Sequence, residues 1–261
     1  MLRISEVVKH LLIINILMFL AGLIFSTDTL ALHYPASDKF MPVQIVTHFF
    51  MHANFLHLFF NMFALVMFGS ALETLWGAQR FLFYYFACAI GAAALHLFVS
   101  YLDFSQMQTA IEMFRSSPSY DTFWNYFKDV PLDRLNPEFR EAVNSMGNAI
   151  QEGNKSVVPE AANAMEQYLN FKMDIPMVGA SGAIFGLLLG FGIKFPNAEL
   201  MLIFLPIPIK AKYFIPLLML VELYLGVNNF SWDNIAHFAH LGGALIGLLL
   251  ILFGRYVNLE Y

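Results

Sequence analysis

Apolar runs dominate the chain. Six of them, at 8–26, 54–75, 80–102, 177–194, 213–229 and 235–255, match the length of a membrane-spanning helix, about 20 residues with a range of roughly 17–25. The fourth and fifth are short, which suits a compact bundle better than a row of lipid-exposed helices. Residues 103–176 break the pattern. They are polar, yet 139–150 and 159–169 keep helical apolar spacing, punctuated by Pro131, Pro137 and Pro159. The pattern predicts an all-α polytopic membrane protein in three parts: helices one to three (1–102), a partly helical insertion (103–176) and helices four to six (177–261).

Composition agrees. Hydrophobic residues make up 59% of the chain and mean hydropathy is +0.62, while charged residues are only 13%, against about 25% in a soluble domain. The apolar run at 11–25 lacks a small-residue cleavage site, so it is expected to stay as a helix. The single Cys88 excludes an intramolecular disulfide framework, and nothing resembles a Cys/His zinc site. With the N-terminus inside, Arg3, Lys9, Arg80, Lys194, Lys210, Lys212 and Arg255 all fall at cytoplasmic ends, and of the basic residues outside 103–176 only Lys39 lands opposite. The bias places both termini in the cytoplasm and the insertion outside. That insertion carries eleven acidic residues against six basic ones, a net of 6 − 11 = −5, equal to the formal charge of the whole chain. It reads as a small cap, with substrate recruitment, partner binding and shielding all open.

Candidate chemistry gathers at one depth. The fourth helix opens on Gly179-Ala180-Ser181-Gly182-Ala183-Ile184-Phe185-Gly186. A serine among small residues serves helix packing, or serves as a nucleophile if a base and an oxyanion site share its depth. His57 and Asn61, four apart on the second helix, share a face. Each either bonds a neighbouring helix or has a functional role, the default for polar groups inside a membrane. On the sixth helix His240, Gly243 and Gly247 share a face, and these glycines match the stripe Gly182, Gly186, Gly190. Direct contact of helices four and six is expected. His237 lies about 300° around that helix at 100° per residue and is the weaker candidate. His48 and His52 are also four apart, but no third ligand accompanies them and the His-Glu-x-x-His pattern is absent, so no metal is assigned. Glu222 stands alone inside the fifth apolar run, facing either a water-filled cavity or a neighbouring helix.

Helices two, four and six all run from outside to inside. At about 1.5 Å per residue, His57, Asn61, Ser181 and His240 therefore occupy the outer part of the bilayer together. A serine hydroxyl needs an adjacent base, which His240 can supply. Asn61, His57 and the Ser181 backbone N–H are the available oxyanion donors. The sixth helix holds no acid to orient His240, so a dyad is expected, with Phe185 packing on the imidazole instead.

These residues resemble the signatures of rhomboid intramembrane serine proteases: Gly179-Ala180-Ser181-Gly182, the His57–Asn61 spacing, and Ala239-His240 with Gly243 and Gly247. The resemblance spans the membrane core in the right helix order. It implies a six-transmembrane-helix rhomboid-like bundle of bacterial type in the inner (cytoplasmic) membrane, with an extracytoplasmic insertion. It also implies an intramembrane serine endopeptidase that cleaves in or near transmembrane segments of membrane proteins. Ser181 and His240 would then be the dyad, Asn61 and His57 would stabilise the oxyanion, and helix five would flank the substrate opening. The implied partners are the bilayer and transmembrane substrates, not nucleic acid, with no cofactor; oligomeric state leaves no signal. Phe185 stands where many bacterial members carry tyrosine, the first loop lacks a Trp-Arg pair, and the insertion is long. A catalytically silent relative that binds transmembrane clients is the alternative. A transporter is disfavoured because the inner halves of these helices are nearly all apolar.

Overall fold

The computed structural model describes residues 4–26, 28–202, 205–228, 233 and 235–254. Arg3, Asn229 and Arg255, used above for orientation and segment ends, lie outside the described residues. In chain order the helices of seven residues or more are α1 (Glu6–Gly22), α2 (Phe55–Trp76, with a π-helical turn at Leu65–Gly69), α3 (Ala78–Ser116), α4 (Tyr120–Phe127), α5 (Pro137–Gln151), α6 (Val158–Met173), α7 (Ser181–Lys194), α8 (Ala211–Asn228) and α9 (His237–Leu252). A short antiparallel hairpin, β1 (Glu199–Leu202) and β2 (Leu205–Lys210), links α7 to α8. Among the described residues three helices, α2, α3 and α8, are long and apolar enough to cross a membrane, and α7 and α9 are shorter apolar helices.

Glycine sets how closely the central helices approach. A methyl group on Gly243 of α9 would overlap the Gly182 carbonyl of α7, and one on Gly182 would overlap Ala92 of α3. Gly186 faces both Cys88 and the Gly243 carbonyl. Gly242 of α9 in turn meets Gly91 and Ala92 of α3, so small residues let α3, α7 and α9 pack directly on one another, the packing that lipid-embedded helices use in place of a hydrophobic drive. The Tyr84 hydroxyl of α3 donates to the Gly186 carbonyl at 2.8 Å, tying the same layer. At the opposite end of the bundle from Ser181, the buried Glu73 accepts from the Val7 and Val8 amides at 3.0 Å and from the Ser5 hydroxyl. Its carboxylate satisfies otherwise unpaired donors at the start of α1 and sits at the positive end of that helix.

The helix expected to end at 102 runs unbroken to Ser116. Its buried Phe104, Ile111 and Phe114 continue into a second core with Phe123 and Phe127 of α4, Val143 of α5 and Met165 of α6. The Tyr126 hydroxyl donates to the Met165 carbonyl at 2.6 Å. A reciprocal Ser119–Thr122 cap starts α4, and Gly147 on α5 makes room for the Trp124 ring. The insertion therefore has its own interior. The first loop ties it to the bundle: Ser37 donates to Asp174 at 2.6 Å, and Leu32 and Met177 exchange backbone hydrogen bonds of 2.9 and 2.8 Å. The buried Gln44 holds that loop through the Thr29 and Lys39 carbonyls and the His33 amide.

Candidate active site

Ser181 is the first residue of α7. The chain reaches it through Met177, paired to Leu32, and Gly179, whose N–H donates to the His48 carbonyl at 2.9 Å. Gly179 has φ +118°, a conformation L side chains rarely adopt, and a Cβ there would stand 2.7 Å from Cε1 and 2.8 Å from Nε2 of His57. Backbone angle and ring contact both call for glycine at this position. They bring the N-terminus of α7, where the first N–H groups have no intrahelical partner, up against α2.

His240 stands across from the hydroxyl. Its Nε2 lies 3.0 Å from Ser181 Oγ, and its ring stacks on Phe185 with centroids 4.1 Å apart and planes 6° from parallel. The other ring nitrogen, Nδ1, is 2.8 Å from Oε2 of Glu222. An ionised carboxylate only accepts, so Nδ1 carries the hydrogen and Nε2 is left as the acceptor for the Ser181 hydroxyl. That is the tautomer a general base requires. The dyad expected from sequence, with no acid behind the imidazole, is corrected here: a carboxylate occupies that place. It comes from α8 rather than α9, 18 residues earlier, so the sixth helix alone gave no sign of it. Of the two readings of Glu222, pairing with a neighbouring helix is the one observed.

The network extends further. His237 Nδ1 reaches the same Glu222 oxygen at 2.7 Å, while its Nε2 meets Asp233 Oδ2 at 2.9 Å. With a carboxylate on each ring nitrogen, His237 is held as the doubly protonated cation. Burial pushes the Asp233 carboxyl up, but hydrogen bonds from the Ile235 amide and the His237 ring outweigh it and hold the group below its ordinary value. The weaker sequence candidate, His237, is thus tied to the same carboxylate as His240, and Asp233 was not singled out at all. Asp233 stands four residues before His237, which is the one local signal for that pair; Glu222 lies 15 and 18 residues from its partners and has none.

The remaining expected groups separate. His57 lies against Gly179. Its Nδ1 accepts from the Ala53 amide at 3.4 Å, so the neutral ring carries its hydrogen on Nε2, the nitrogen that faces Gly179. Asn61 is buried one turn deeper and donates an amide hydrogen to the His57 carbonyl at 2.9 Å, within its own helix. Gly182, Gly243 and Gly247 line the α7–α9 contact, with Gly247 also beneath the Tyr84 hydroxyl. His52 packs edge-on to His57, with centroids 5.1 Å apart. A cleft of about 320 Å³ opens beside this network, lined by Ser100, Asp103, Lys172, Asp233 and His237 among others.

Comparison with known proteins bears on the whole core. The Rhomboid domain model matches residues 39–106 and 157–256, both halves of the bundle, and leaves out the middle of the insertion. The chain is also similar to Rhomboid protein 1, mitochondrial, of Saccharomyces cerevisiae, at 35% identity over 83 residues, which is 32% of this chain and 22% of that protein's length. A family match over most of the chain, on a bundle of apolar helices packed through glycine, makes this an integral membrane protein that belongs to the rhomboid family.

Proposed function

We infer that the chain is an intramembrane serine endopeptidase, hydrolysing peptide bonds in or near transmembrane segments of membrane proteins. The observation that carries this reading is the hydrogen-bonded series Ser181 Oγ, His240 Nε2, His240 Nδ1, Glu222 Oε2, with steps of 3.0 and 2.8 Å across the ring. Each atom has the protonation its neighbour requires. In the first step His240 Nε2 takes the Ser181 proton as Oγ bonds to the scissile carbonyl carbon. Glu222 is a positioning residue: it fixes the tautomer and stabilises the imidazolium that forms. The carbonyl oxygen becomes an oxyanion beside the N-terminus of α7, where the Ser181 N–H, His57 Nε2–H and the second Asn61 amide hydrogen are the candidate donors. Removing one such donor costs about 2.7–4 kcal/mol of barrier. His240 then returns the proton to the leaving amine as the C–N bond breaks. A water, deprotonated by the same nitrogen, then bonds to the acyl carbon; the carbon–Oγ bond breaks, His240 returns the proton to Ser181 Oγ, and the acid is released.

The topology that goes with this reading has six spans, with both termini in the cytoplasm and the insertion outside, as the basic residues at helix ends suggest; the bacterial inner membrane follows from the resemblance of the motifs to bacterial members. The deciding experiment is labelling with a fluorophosphonate probe alongside cleavage of a reporter transmembrane substrate. Parent protein labels and cleaves; Ser181→Ala and His240→Ala do neither while keeping the parent's thermal midpoint. Absence of labelling in correctly folded parent protein would leave the client-binding reading in its place.

A further inference from the structure

Proton transfer from Ser181 to His240 has no use for His237 or Asp233, yet both are held by hydrogen bonds of 2.7 and 2.9 Å. We propose that Glu222, His237 and His240 form a site for a divalent transition metal of the zinc type, whose occupation switches the Ser181 centre off. One donor atom from each residue lies within 4.8 Å of the others, and all three residues are buried. Glu222 Oε2 is 2.7 Å from one Nδ1 and 2.8 Å from the other. Zinc bonds of about 2.0–2.1 Å in tetrahedral geometry place neighbouring donors roughly 3.3 Å apart, so each Glu222–His pair opens by about half an ångström, while the two histidine donor nitrogens already lie within 4.8 Å of each other. A water would complete the four.

Three features beyond proximity favour a metal. Both histidines have their far nitrogen already held, His237 Nε2 by Asp233 at 2.9 Å and His240 Nε2 by Ser181 at 3.0 Å, which turns both Nδ1 atoms toward one point. This is the outer-sphere arrangement that orients ligating imidazoles. Within hydrogen-bond reach, among the described residues, two carboxylates, Glu222 and Asp233, share one imidazolium. Third, the cleft of about 320 Å³ reaches His237 and Asp233 past Ser100 and the Asp103–Lys172 pair, so the site has a way in that carries polar groups. Two imidazoles and a carboxylate suit zinc-like ions over magnesium or calcium. No local spacing exposes such a set, because Glu222 is 15 and 18 residues from its partners.

Occupation has a chemical consequence for the serine. A metal on His240 Nδ1 requires that nitrogen to be bare, so its hydrogen moves to Nε2. His237 gives up its Nδ1 proton to solvent, one proton released per ion bound. Nε2–H then donates to Ser181 Oγ and can no longer accept from it. This inhibitory consequence rests on the protease reading; the binding site does not.

The test therefore has two arms. In the first, purified Ser181→Ala protein is titrated with Co²⁺ and followed by its visible d–d absorption. One equivalent of four- or five-coordinate cobalt is expected, displaced by Zn²⁺ and weakened at least tenfold by adding His237→Gln. Asp233→Asn, which leaves all three donors in place, should weaken it by a smaller factor. In the second arm Zn²⁺ blocks fluorophosphonate labelling of the parent protein, EDTA restores it, and His237→Gln raises the inhibitory concentration at least tenfold. Absence of cobalt binding, or binding indifferent to both substitutions, overturns the site. Cobalt binding with labelling unaffected by zinc overturns the switch. A parent protein that binds cobalt but never labels, even without metal, overturns the protease reading while the site stands.

Discussion

Glu222→Gln removes one charge from the proposed reaction centre and almost no volume. In the native arrangement Glu222 Oε2 accepts from both His237 and His240, at 2.7 and 2.8 Å. As Ser181 attacks, His240 becomes a cation and its bond to Glu222 becomes a charge-assisted one. Hydrogen bonds to charged groups are worth about 1.5–3 kcal/mol, and each 1.36 kcal/mol is tenfold in rate, so a loss of roughly 10- to 150-fold in kcat is expected. Both ring N–H groups point at one position, which favours the glutamine oxygen there and preserves the tautomer. If the amide nitrogen took that position instead, His240 would carry its hydrogen on Nε2 and the loss would approach about 10⁴-fold. Glu222→Leu removes the acceptor altogether and should fall below the glutamine variant. The assay is cleavage of a reporter transmembrane substrate in proteoliposomes, with kcat and KM separated and the thermal midpoint in detergent checking the fold. KM should hold, because Glu222 lies behind the imidazole on the far side from Ser181. Glutamine and leucine variants both within twofold of the parent, or a change confined to KM, would refute the positioning role.

Two other perturbations probe the scaffold. Gly179→Ala forces a Cβ onto a residue at φ +118° and within 2.8 Å of the His57 ring; backbone strain alone is worth about 1–3 kcal/mol. A lower thermal midpoint should accompany a loss of probe labelling on the order of 10²-fold from the displaced serine, and a variant that labels like the parent would show that the glycine does not set the site. Acid should loosen the first loop. Burial pushes His48 down from 6.5 to about 4 and does the same to His52, where nearby His57 adds to the effect. Both are neutral when folded and protonated when unfolded between those values, so the unfolded chain binds more protons and stability falls as pH drops from about 6.5 toward 4, by up to about 3 kcal/mol for each histidine. The midpoint in detergent should decline over that window and more gently in His48→Asn; identical slopes would remove His48 from the account.

The parts of the site legible in the sequence are those set by local geometry. His57 and Asn61 share a face because four residues make about one turn, and the glycines of α7 and α9 are legible because close approach leaves no room for Cβ atoms. Ser181 and His240 could be placed at one depth by helix rise alone. A hydropathy window fails on α3 for a physical reason: past residue 102 its apolar surface narrows from a lipid-facing cylinder to one stripe, Phe104, Ile111 and Phe114, that packs on the insertion. The helix continues although the hydrophobic signal stops.

Glu222 escaped for a different reason, and its placement carries the most consequence. It sits on α8, the least embedded of the three long apolar helices, with 17% of its span buried against 39% for α2 and 33% for α3, and with Pro216 interrupting its ladder. A carboxylate in that setting is costly unless paired, and its partners His237 and His240 both belong to α9. The pairing that orients His240 therefore also holds α8 against α9. A helix with so little apolar burial on the bundle depends heavily on such a polar tie, so any movement of α8 away from α9 withdraws the carboxylate from His240. The position of one loosely packed helix and the readiness of the serine's base are two consequences of the same hydrogen bonds. Neither could be read from a spacing, because the spacing that matters lies across two helices and the loop between them.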